Sequence, residues 1–143
     1  MFRRVIQESR TKAHPVLVGF EDREIAASLT SIRGNYPGRK LTAIFQPHLY
    51  TRTRDFAEGF AEALSHADRL ILLDIYPARE EPIEGVVSEI IGELITVPWR
   101  VVERESLAQA LKDMDTDIVV TFGAGNIDAY CSAVAEVIER KSL

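Results

Sequence analysis

The side chains best suited to chemistry crowd one short stretch, Leu41–Arg54, which reads LTAIFQPHLYTRTR. His48, Tyr50, Arg52 and Arg54 lie close together there, just after an apolar run, Leu41 to Phe45, with the composition of a buried strand. Gln46-Pro47 ends that run, because proline has no N–H for a ladder and biases its predecessor away from helix. Phe56, Ala57, Phe60, Ala61 and Leu64 then recur at helical spacing and predict a helix over Thr53–Ser65. Two arginines thus stand at or just before a helix N-terminus, where the backbone is already partly positive and Asp or Glu is the local preference. An anionic ligand is the simplest compensation; arginines that merely face water are the plainer reading. Arginine offers a planar fork matched to carboxylate or phosphate, and histidine adds a short-range donor. For His48 alone, a bond to nearby backbone is the alternative.

Two further constellations fall on loops. Tyr76–Gly85 holds two prolines and the cluster Arg79-Glu80-Glu81, and Tyr76 and Arg79 are placed to line a pocket. Adjacent carboxylates are more often solvated or paired with arginine than catalytic, so no catalytic role goes to Glu80 or Glu81. Gly123-Ala124-Gly125-Asn126 follows a strand and opens a helix, but Asp128 stands where a dinucleotide fingerprint needs a third glycine. Tight backbone geometry is expected there, with a ligand contact from Gly123, Gly125 or Asn126. No GxxxxGK[ST] loop occurs in the chain. The histidines (His14, His48, His66) lack metal-ligand spacing, so no metal site is expected.

These residues need a scaffold, and the hydrophobic pattern supplies one. Arg3–Gln7 and Pro15–Phe20 read as strands joined by the polar turn Glu8–Lys12, short enough for an antiparallel hairpin. A helix opens at Glu21 or Asp22 and runs to about Gly34, with Ile25, Leu29 and Ile32 inward and Asn35-Tyr36-Pro37-Gly38 as its stop. After the Lys40–Phe45 strand and the Thr53–Ser65 helix, Arg69–Ile75 is an almost unbroken apolar run. A helix over Val86–Leu94, a strand at Trp99–Glu103, a helix over Ser106–Met114 and a strand at Asp117–Phe122 complete the alternation. The closing helix turns Ile127, Tyr130, Cys131, Val134, Val137 and Ile138 inward. The fold class is therefore α/β: a three-layer, Rossmann-like, mostly parallel sheet of about six strands, helices on both faces, first strand antiparallel. Ligands in such sheets sit beyond the carboxyl ends of the strands, where the unusual residues fall.

Composition sets the outer limits. A chain of 143 residues, 46% hydrophobic and 27% charged, suits one soluble domain spanning residues 1–143. Its net charge of −5 argues against nucleic acid as a partner, and no apolar run is long enough for a membrane span or a signal peptide. The single cysteine, Cys131, fits core packing in a reducing cytosol, so a cytoplasmic location is expected.

Three motifs, FQPHLYTRTRDF, LDIYPAREEPIEG and TFGAGNID, resemble the C-terminal domain of the bacterial Mur ligases, from about Arg3 onward. FQPH…TRT favours the alanine-adding branch, with a sibling ligase for another amino acid as the alternative. The resemblance implies ATP-dependent amide formation in peptidoglycan precursor synthesis, with UDP-N-acetylmuramate and L-alanine as partners. It also implies ATP and Mg²⁺ bound mostly by a central domain, and the UDP-sugar by an N-terminal one. Neither of those domains is within this sequence, so the chain alone is expected to fold without turning over. By resemblance His48 and Arg52 recognise the substrate carboxylate, with Tyr50 and Arg54 as secondary candidates. Two departures stand out. Leu49 takes the place of a second arginine, and Gly19-Phe20 passes straight to Glu21-Asp22, without the Asp-rich, His-His-Pro segment that contacts ATP in the family. Asp22 is the partial substitute for that contact. A non-catalytic module binding an anion or nucleotide is the reading from another class.

Overall fold

A computed structural model describes residues 2–8, 14–18, 22–115, 117–123, 134, 136 and 137. Strands β1 (Phe2–Glu8) and β2 (His14–Val18) pair antiparallel, from Phe2 opposite Val18 to Ile6 opposite His14, as the hairpin pattern predicts. Helix α1 (Asp22–Asn35) leads into β3 (Leu41–Gln46), α2 (Tyr50–Leu64) and β4 (Arg69–Leu72). Then follow α3 (Glu89–Gly92), β5 (Trp99–Val101), a 3-10 turn at Arg104–Ser106, α4 (Leu107–Lys112) and β6 (Ile118–Gly123). The sheet runs β2-β1-β6-β3-β4-β5. From β6 to β5 its four strands are parallel, and β1 is antiparallel to both of its neighbours.

The three layers follow from alternation along the central strands. Leu41, Ala43 and Phe45 of β3 face one cluster with Leu70, Leu72, Ile118, Val120 and Phe122, which α1 and α2 cover through Ile25, Leu29, Phe60 and Leu64. Ile44, Ile71 and Val119 face the opposite cluster, closed by Leu107, Leu111, Val134 and Val137. Every residue of β3 and of β6 is buried, as expected for strands covered on both faces. Phe45 and Phe60 meet at 5.1 Å between centroids and 42° between planes, fixing α2 on β3. Val134 and Val137 thus lie inward as their spacing predicts, whereas Ile127, Tyr130, Cys131 and Ile138 fall outside the described residues.

Several boundaries differ from the sequence reading. The β4 ladder stops at Leu72 rather than Ile75, although the Leu73 N–H still donates to Phe45 O at 2.9 Å. Helix α3 is a single turn, not Val86–Leu94. Helix α2 begins at Tyr50, three residues before the expected Thr53, and bends at Phe56 (φ −118°, ψ 17°). That bend takes Phe56 out of the inward stripe and leaves it 54% exposed; Thr53 is buried in the preceding turn. No helix among the described residues is long and apolar enough to cross a membrane.

Candidate functional site

The carboxyl edge of the parallel strands is built by two segments that zip together past the end of the sheet. Pro47 turns the chain out of β3, and the Tyr76 N–H donates to Pro47 O while the Leu49 N–H donates to Tyr76 O, both at 2.8 Å. His48 and Tyr76 are thereby bridged in parallel, and their rings stack 5.8 Å apart at 14°. The geometry requires Leu49 at φ 69°, ψ 139°, a region that costs a branched residue about 1–3 kcal/mol. It persists because Thr53 holds the Leu49 carbonyl twice, with its N–H at 3.1 Å and its hydroxyl at 2.7 Å. Across the bridge Ala78 has a positive φ of 53°, which sets the turn that carries Arg79 and Glu80.

Helix α2 has no side-chain cap of its own at Leu49. Its N-terminus is served by Glu80, whose carboxylate accepts from the Thr51 N–H at 3.1 Å and from the Thr51 hydroxyl. The Thr51 hydroxyl bond lowers the Glu80 pKa, with further contributions from backbone N–H groups of α2 and the Arg54 charge. So the positive helix terminus, expected to await an external anion, already holds an internal one. The two arginines, expected at or just before the terminus, lie inside the first two turns. The Arg52 guanidinium lies 5.8 Å from the Phe56 ring centroid. Burial lowers the His48 pKa, Arg52 adds to that, and Glu80 opposes it.

The structure stacks His48 on Tyr76, lets the Arg52 charge act on His48, and places Tyr50 in a neighbouring cavity. Tyr50 lines a cavity of about 470 Å³ with Asp74, Pro77, Ser88, Glu89 and Arg104, beside the ends of β4 and β5. Arg54 is exposed and engages its neighbour Asp55 at 2.8 Å. Arg79 is exposed after the Ala78 turn. Gly123 ends β6 in register with the buried Gln46 of β3. Asp22 opens α1, while Gly125 and Asn126 lie outside the described residues. No three His, Cys, Asp or Glu side chains among the described residues gather as a metal-holding group.

The bond between Thr51 and Glu80 is what sequence reasoning passed over, since it weighed Glu80 only as solvated or paired with arginine. The two residues are 29 positions apart, and no local pattern joins them. The available signal was negative: a helix start without Ser, Thr, Asp or Asn at its cap must borrow an acceptor.

Comparison with known proteins identifies the family. The sequence profile of the family described as "Mur ligase, glutamate ligase domain" matches residues 18–125. A UDP-N-acetylmuramate–L-alanine ligase of Parabacteroides distasonis is 51% identical over 116 residues, covering 80% of this chain and 25% of the relative. Proteins of the same name from Flavobacterium johnsoniae and Phocaeicola vulgatus are 47% and 44% identical over 116 and 120 residues. Those alignments cover 80% and 82% of the chain and 26% of each relative. The chain therefore spans about a quarter of the length of the curated relatives it matches.

Proposed function

Since this chain belongs to the Mur ligase family, through its glutamate ligase domain, we propose that it is the C-terminal, amino-acid-binding domain of a UDP-N-acetylmuramate–L-alanine ligase. The observation that supports the reading is the placement of His48, stacked on Tyr76, and Arg52, in the first turn of α2, at the carboxyl edge of the sheet within the FQPHLYTRTRDF motif. The work proposed for these residues is positioning and electrostatics, not covalent chemistry. Arg52 and His48 grip the carboxylate of L-alanine and hold its amine toward the activated acyl carbon of the muramate. Amide formation then needs only that the amine attack and phosphate leave. ATP and Mg²⁺ supply the activation, and in this reading they are held mostly by the domains that this sequence does not contain. The stacked ring of Tyr76 fixes the imidazole plane.

Arg52→Ala in the complete ligase tests this. Losing a charge-assisted bond to a carboxylate costs about 1.5–3 kcal/mol, so the Michaelis constant for L-alanine should rise at least about tenfold. The constant for ATP should stay within about twofold. An unchanged alanine constant would remove Arg52 from the carboxylate site.

A further inference from the structure

Glu80 sits in the loop after β4, yet its hydrogen bonds are made to a helix that starts after β3. The first N–H groups of a helix have no intrahelical acceptor, and α2 brings no cap of its own. Glu80 fills that gap with one carboxylate, bonded to both the N–H and the hydroxyl of Thr51. The same two segments are joined a few residues away by the Pro47–Tyr76–Leu49 bonds and by the His48–Tyr76 stack. Between these two attachments lies Leu49, with a backbone conformation that an unconstrained leucine would leave.

We propose that Glu80 is a positioning residue: its bonds to Thr51 clamp the Tyr76–Glu80 segment to the start of α2 and hold the His48–Leu49 turn in its strained form, with His48 and Arg52 aligned before substrate arrives. This rests on the carboxylate-binding role of His48 and Arg52, but the clamp acts in the chain by itself, without substrate. Its parts are separable. The Glu80 charge acts on His48 across the loop, while its oxygens hold the Thr51 N–H and hydroxyl. Arg54 is the other charge that bears on Glu80, and Arg52 the other side-chain charge that bears on His48.

Two substitutions in this chain test the clamp by NMR. Glu80→Gln keeps an acceptor for Thr51 and removes the charge. Amide exchange at Leu49 and Thr51 should stay within about threefold of the parent, while the His48 titration midpoint falls. Glu80→Ala removes both, so the same amides should exchange at least about tenfold faster, and the resonances of His48 and Tyr76 should shift together. About tenfold faster exchange at Leu49 and Thr51 in Glu80→Gln would assign the effect to charge and not to the bonds, and overturns the proposal whether or not Glu80→Ala folds. So does unaltered protection of Leu49 and Thr51 in a folded Glu80→Ala. Neither readout uses L-alanine, so failure here leaves the Arg52 test standing, and failure there leaves the clamp.

Discussion

At the scale of single residues, His48 and Leu49 are neighbours under different constraints. Burial and Arg52 keep the His48 imidazole neutral through lower pH than usual. The unfolded chain takes up that proton near about pH 6.5 and the folded chain only below it. His48 therefore contributes its full stability above about pH 6.5, and the contribution is lost as pH falls through the folded value. A bound carboxylate should reverse the direction. Titrating the chain with L-alanine at increasing concentration is expected to move the His48 midpoint upward, read from its ring resonances, and a midpoint that does not move would speak against carboxylate recognition by His48. Leu49 concerns the backbone instead. At φ 69° glycine is at ease and an L-residue is not, so Leu49→Gly should be more stable than Leu49→Ala by about 1 kcal/mol in urea titrations. Equal stability of the two would show that the turn relaxes.

At the scale of elements, the sequence was most legible where burial is continuous and least where one element borrows from another. The apolar runs of β3 and β6 and the Ile25, Leu29, Ile32 stripe of α1 are found where their periodicity puts them, since hydrophobic burial alone fixes those positions. The start of α2 was misplaced by three residues because its cap comes from Glu80, outside the window that any helix pattern examines. The inward role expected of Phe56 failed for a related reason, since the bend at that residue resets the helical face. Arg52 and His48 were legible as a cluster from spacing, while Thr51 and Glu80 were not, because only the fold brings them together. The short α3 shows another contact invisible to pattern. A Cβ on Gly92 would lie 2.3 Å from the Trp99 ring, so the glycine is what lets β5 dock its tryptophan on that turn. Gly92→Ala must displace a large ring and should destabilise the chain by about 1–3 kcal/mol despite alanine's better helix propensity. Pairing it with Trp99→Leu should recover part of that loss; no recovery would mean the backbone, not the ring, is at fault.

For the whole molecule, the two edges of the sheet do different work. The carboxyl edge carries His48, Arg52 and the strained turn, whereas carboxylates sew up the amino edge. Asp68 accepts from the Leu41 N–H at 2.6 Å and from the Arg33 guanidinium at 2.9 Å, and its own N–H donates to Leu41 O at 2.8 Å. Asp117 accepts a two-pronged bond from Arg39, with the Ile118 N–H donating to Lys40 O alongside. Burial alone would raise the Asp68 pKa, but the bonds from Leu41 and Arg33 outweigh it and the pKa is lowered. A lowered carboxylate contributes its full stability above its unfolded value of about 4 and loses it as pH falls through the lower folded value. Asp68→Asn should therefore weaken the chain at neutral pH and flatten the acid limb of its urea-stability profile between about pH 5 and 3. The neutral limb set by His48 should keep its shape, since the two residues lie at opposite edges of the sheet. A His48 midpoint that moved in Asp68→Asn would mean that the two edges are coupled through the sheet, and that the substrate edge cannot be read apart from the edge that anchors it.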